Sequence, residues 1–128
     1  MDTKYHGVYY HKSFNCGYAA RVIYKNRKYW LKTWHTAYDA AQVRDVAAKW
    51  IGSPRTKYNN FPVKELPKGV TDVLIARWLM DAGMPMRLMV RRVPPQILAE
   101  AGITEYQLLL GGVSADKLLQ FKRNPIAP

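Results

Sequence analysis

His6, His11, His35 and Cys16 are the residues of this 128-residue chain best suited to hold a metal or act as a nucleophile. Zinc fingers pair their ligands closely in each half of the site, and this set has no such pairing. Cys16 would need a base and an electropositive pocket to become reactive, and only His11 is near it in sequence. Asp39 and Asp45 fall on different faces of a predicted helix, so they do not form a general acid–base pair. No metal, cofactor or enzymatic activity is expected.

Positive charge and aromatic rings are abundant. Twenty Lys and Arg against nine Asp and Glu give a net charge of +11. Such an excess points to a polyanion, nucleic acid first and an anionic membrane surface second. Residues 1–60 carry 11 cations against 3 acids, a net +8, and residues 61–128 carry 9 against 6, a net +3. Thirteen of the 16 aromatic residues lie at or before Phe61. The first half is therefore a basic, aromatic module. Its candidate contact residues are His6, Tyr9, His11, Lys12, Arg21, Lys25, Arg27, Lys28, Trp30 and Lys32. Arg87, Arg91 and Arg92 form a second basic group.

Other classes recede. Hydrophobic residues make up 48% of the chain, enough to build a core rather than a disordered tail. No apolar run approaches the roughly 18 residues of a membrane span. Residues Met1 to His6 lack the apolar core of a signal peptide. A single cysteine suits a reducing compartment. The expected location is the nucleus or an organellar matrix such as that of the mitochondrion, with no membrane partner and no secretion.

The elements that must position these residues can be read in order. Tyr5 to Tyr10, Tyr18 to Lys25 and Lys28 to Trp34 read as three strands, with Asn26-Arg27 as a tight connection between the last two. Alternation puts Arg21, Ile23 and Lys25 on one face with Lys28, Trp30 and Lys32. Ala20, Val22 and Tyr24 share the other with Tyr29, Leu31 and Thr33. Trp30 and Trp34, four apart, fall on one face, and Tyr9 and Tyr10 on opposite faces. Thr36 can cap a helix over Ala37 to Ile51, whose alanines allow close packing on the sheet, and Gly52 can stop it. Two prolines and a glycine between Phe61 and Gly69 mark a joint. Beyond it, short helices are expected from Thr71 or Asp72 to Ala82, from Pro94-Pro95 to near Gly102, over Glu105 to Leu110, and over Ala115 to Arg123. Met80, Met84, Met86 and Met89 read as core filling. No repeat of fixed period emerges. The expected fold is α+β: a three-stranded antiparallel sheet packed on one helix over residues 4–62, then a lobe of short helices over 63–128.

A series of residues carries a resemblance. Tyr5-His6-Gly7-Val8, Ala19-Ala20, Tyr29 to Trp34, Thr36-Ala37, Ala40-Ala41, Asp45 to Ala48, Gly52 and Asn60-Phe61-Pro62 follow one another in an order similar to the Apetala/ethylene-response-factor DNA-binding domain. The similarity covers residues 4–62. It implies a sheet laid into the DNA major groove and supported from behind by the helix. The family places arginines where this chain has His6, Tyr9, His11 and Ile23, and the loop from Lys12 to Gly17 lacks the family's Pro-Trp-Gly. Trp30 carries over, with Lys28 in place of an arginine before it. Lysine meets phosphate as a point charge and cannot form arginine's bidentate fork on guanine.

Two functions follow as expectations. One is a DNA-binding transcription regulator. The other is a structural RNA-binding subunit of a large ribonucleoprotein such as an organellar ribosome, with the helical lobe docking on protein neighbours.

Overall fold

The computed structural model of the chain describes residues 4–51, 60–114 and 116. It is an α+β fold. Strands β1 (Val8–Tyr10), β2 (Tyr18–Tyr24) and β3 (Arg27–Trp34) form an antiparallel sheet in sequence order. Helix α1 (Ala37–Ile51) packs across one face. Four short helices follow: α2 (Asp72–Asp81), α3 (Met86–Arg92), α4 (Pro95–Glu100) and α5 (Glu105–Leu110).

Turn chemistry fixes the hairpin between β2 and β3. Lys25 and Asn26 have φ of 49° and 65°, the mirror-image turn whose twist matches the flanking strands. Tyr24 pairs with Arg27 across it. The turn thus comes one residue earlier than the sequence suggests: Lys25 leaves β2 and Arg27 joins β3. β1 is also shorter than expected, because Gly7 turns the backbone at φ 71°. A Cβ there would lie 2.6 Å from both the Arg21 carbonyl oxygen and Arg44 Cγ, so only glycine fits this approach.

β3 contains a bulge. Ala19 pairs with Thr33 and Arg21 with Trp30, so Leu31 and Lys32 together oppose Ala20. Lys32 takes φ 64° to make this possible. One extra residue reverses the alternation of side chains beyond it. This corrects three expectations. Lys32 drops out of the row formed by Lys28 and Trp30. Thr33 joins Ala19 instead of the row of Tyr29 and Leu31. Trp30 and Trp34 lie on opposite faces.

α1 begins as its sequence suggests, with Thr36 Oγ1 accepting from the Asp39 N–H at 3.1 Å. Its expected stop, Gly52, lies outside the described residues. The alanine stripe is buried: Ala40, Ala41, Ala47 and Ala48 let the helix sit close against Val8, Ala20, Val22, Tyr29 and Leu31 of the sheet.

Beyond the joint, one device ends three helices. After α2, α4 and α5 a glycine with φ of 91°, 85° and 85° (Gly83, Gly102, Gly112) closes the last turn. The following Met84, Ile103 and Val113 donate backbone bonds back to Leu79, Leu98 and Leu108. At the other ends, Thr71 rather than Asp72 caps α2, and Thr104 forms a reciprocal capping box with Gln107 on α5. Helix α3 was not expected. It follows Pro85 and has no side-chain cap, so the usual boundary signals are missing. Of the expected helix from Ala115 to Arg123, all but Asp116 lies outside the described residues.

The hydrophobic core is continuous across the change in composition near residue 62. Ile75, Ala76 and Leu79 of α2 join the core that α1 shares with the sheet. Trp34 and Trp78 meet at 5.8 Å between ring centroids. Buried Gln42 ties the joint to α1: its Oε1 accepts from the Glu65 N–H at 2.8 Å, and its Nε2 donates to the Tyr38 hydroxyl at 3.2 Å. Met80, Met84 and Met89 are buried in this core, and Met86 packs against it. Among the described residues no helix is long and apolar enough to cross a membrane.

Candidate nucleic-acid interface

The sheet face opposite α1 collects Tyr9, Arg21, Ile23, Lys28 and Trp30. The register places Arg21 beside Trp30 and Ile23 beside Lys28, and Tyr9 stands across from Ala19. An aromatic cluster forms its centre. The Trp30 ring centroid lies 6.0 Å from that of Tyr9, nearly edge-on, and 5.9 Å from that of Phe14. Trp30 is still 43% exposed. Phe14 reaches this cluster from the β1–β2 loop and was missed in the sequence, because a lone phenylalanine between serine and asparagine gives no strand or helix period.

Arg21 is drawn into the cluster. Its guanidinium carbon lies 3.9 Å from the Tyr9 ring centroid and 5.5 Å from that of Trp30, and Nη2 donates to the Tyr9 hydroxyl. Its buried Nε finds no hydrogen-bond partner among the described residues. Aromatic faces attract the charge without neutralising it.

The other sequence candidates are spread around this centre. Lys28 and Lys12 are exposed, Lys28 on the face and Lys12 in the β1–β2 loop. His11 begins that loop, its Nδ1 accepting from the Ser13 N–H at 3.0 Å. His6 lies before β1, with its backbone held by Asn60. Lys25 does not join the Arg21 row: it sits in the turn, with Nζ 5.5 Å from the Tyr24 ring. Arg27 pairs with Tyr24 and shares that residue's side of the hairpin, not the side of Trp30. Arg87, Arg91 and Arg92 are exposed on α3, which packs on α1, so the fold does not gather them with the Trp30 face.

The electrostatics are one-sided. Residues 4–36 contain seven Lys and Arg and no Asp or Glu. The ion pairs of the described residues, Arg44–Asp45, Lys64–Asp72 and Arg77–Asp81, all lie outside the sheet. None of Lys12, Arg21, Lys25, Arg27, Lys28 and Lys32 pairs with a carboxylate among the described residues.

Behind the face, a polar staple holds the start of β1 to α1. Asp45 Oδ2 accepts the N–H groups of Asn60 and Phe61 at 2.8 and 3.0 Å, and its Oδ1 accepts from Asn60 Nδ2 and Arg44 Nη1, both at 3.0 Å. Asn60 then brackets His6, accepting from its N–H at 2.7 Å and donating to its carbonyl at 3.0 Å. Asp45 thus has a structural role. Arg44 is almost fully buried beneath Gly7 and was missed in the sequence, since a charged residue in an alanine-rich helix reads as solvated. A cleft of about 210 Å³ opens beside Gly7, with His6, Tyr9, Arg21, Ile23 and Arg44 among its walls.

Cys16 is half-buried and unpaired with any other cysteine. Among the described residues no group of three His, Cys, Asp or Glu side chains converges as a metal site would require. Compared with known proteins, the chain matches no family model, no curated protein and no solved structure.

Proposed function

We propose that this chain binds nucleic acid through the sheet face that carries Trp30. One observation carries the reading: an exposed tryptophan amid cations that lack carboxylate partners among the described residues, on a sheet whose opposite face is filled by α1. Unneutralised lysines near an open aromatic surface suit a ligand with regular negative charge and flat rings. The resemblance to the Apetala/ethylene-response-factor domain supports the same face. It favours DNA, and a transcription regulator is the role it suggests. The replacement of base-reading arginines by His6, Tyr9, His11 and Ile23 favours holding the phosphate backbone over reading base edges. That chemistry serves equally in a structural subunit of a ribonucleoprotein. There the helical lobe would meet protein neighbours, with Tyr106, Leu109 and Leu110 of α5 exposed for such contacts.

A salt titration tests the reading. The slope of log affinity against log salt should be steep, and Lys12→Ala with Lys28→Ala should reduce it by about one for each phosphate no longer neutralised. Absence of binding at low salt, or an unchanged slope in the double variant, would overturn the placement.

A further inference from the structure

The composition of the Trp30 face bears on which form of nucleic acid it takes. A duplex shows side chains its base edges and hides the faces of its bases in the stack. Reading edges requires forked donors and acceptors. On this face the one fork, the Arg21 guanidinium, is engaged by the Tyr9 hydroxyl and ring and lies against Trp30. The face otherwise offers flat rings (Trp30, Tyr9, Phe14), the aliphatic Ile23 and the point charge of Lys28. Flat rings with no free fork suit bases that are already unstacked.

The cleft supplies the second half of a nucleotide site. Tyr9 and Arg21 belong both to the aromatic cluster and to the wall of the 210 Å³ cleft, which His6 and Arg44 help to line. Arg44 is held by Asp45, whereas Arg21 meets no carboxylate among the described residues and keeps a buried Nε–H without a partner there. An anion in the cleft would meet one cation whose charge is not neutralised, next to the ring on which a base can lie.

We propose that this face takes an unpaired strand, stacking a base on Trp30 and seating an adjacent phosphate in the cleft beside Arg21. The proposal rests on the nucleic-acid reading above and names its substrate as single-stranded. RNA and DNA share this chemistry, and the test separates them.

The experiment is fluorescence anisotropy of the full chain with labelled oligo(U), oligo(dT) and a mixed-sequence DNA duplex of equal length, at one salt concentration. The single strands should bind about tenfold more tightly than the duplex. Trp30→Ala should remove about tenfold of single-strand affinity, a larger factor than it removes from duplex binding, while Trp30→Phe retains most of it. Thermal melting of each variant confirms folding. A gap between oligo(U) and oligo(dT) identifies the sugar that is preferred, and equal binding identifies a site that ignores it; both sustain the proposal. A duplex bound as tightly as either single strand, or single-strand binding indifferent to Trp30→Ala, overturns the proposal while the nucleic-acid reading stands. Failure to bind all three ligands overturns both.

Discussion

The two faces of the sheet solve opposite problems. The α1 side is packed: alanines, Val22, Tyr29 and Leu31 fill it, the buried Tyr29 hydroxyl finding no hydrogen-bond partner among the described residues, and at its margin Asp45 receives four hydrogen bonds from Arg44, Asn60 and Phe61. The Trp30 side is unsatisfied, with an exposed ring and cations that have no counter-charges among the described residues. Most residues that carry the resemblance, including Gly7, Ala20, the helix alanines, Asp45, Asn60 and Phe61, belong to the packed side or its staple. Of the positions that hold other residues where the resemblance implies arginine, Tyr9 and Ile23 lie on the open face, whereas His6 sits in the staple and His11 begins the β1–β2 loop. Residues that build a sheet's packed face and residues that meet a ligand on its open face can vary independently, because the two sets are physically separate.

This contrast can be broken most forcefully at Asp45. Asp45→Ala removes the carboxylate that faces buried Arg44 and frees two backbone N–H groups, and should cost about 3 kcal/mol, read from urea unfolding. A loss under about 1 kcal/mol would mean that the staple is incidental. Next comes a pair of neighbours on β3. Leu31→Ala should cost about 2–4 kcal/mol because Leu31 is fully buried, whereas Trp30→Ala should cost much less stability and weaken binding instead. If both destabilise equally, the faces are not distinct. At the bulge, Lys32→Val should cost about 1–2 kcal/mol, since a branched side chain resists positive φ, and Lys32→Gly should be close to neutral. Smallest of all, Lys28→Ala should change stability by no more than about 0.5 kcal/mol while flattening the salt dependence of binding.

How much of this was legible depended on whether a local rule set the outcome. The start of α1 follows from Thr36 and its close packing from the alanine run, and the boundaries of α5 follow from Thr104, Gln107 and the glycines after Leu110. The sheet and its strand order follow from aromatic and branched runs around one asparagine turn. The turn itself was displaced by one residue because Asn26 suits either central position. Helix α3 was hidden because it begins without a polar cap. Arg44 and Phe14 owe their positions to partners distant in sequence or to a loop's path, neither of which leaves a periodic trace. The bulge was illegible for a similar reason: Lys32 is neither glycine nor asparagine, and its left-handed backbone is imposed by the pairings on either side.

That bulge makes inside and outside a question of parity. Between Trp30 and Trp34 the chain holds one residue more than regular alternation allows, and that extra residue turns the second ring over. Trp30 therefore faces outward, and Trp34 reaches Trp78 on α2. Deleting Lys32 would leave the rings three residues apart and still on opposite faces, whereas drawing Lys32 into regular pairing would bring both to one side and cost one task its tryptophan. The join between sheet and helical lobe and the open face of the sheet are thus set together by the bulge at Lys32, through the backbone's step out of the ladder rather than through the lysine's charge.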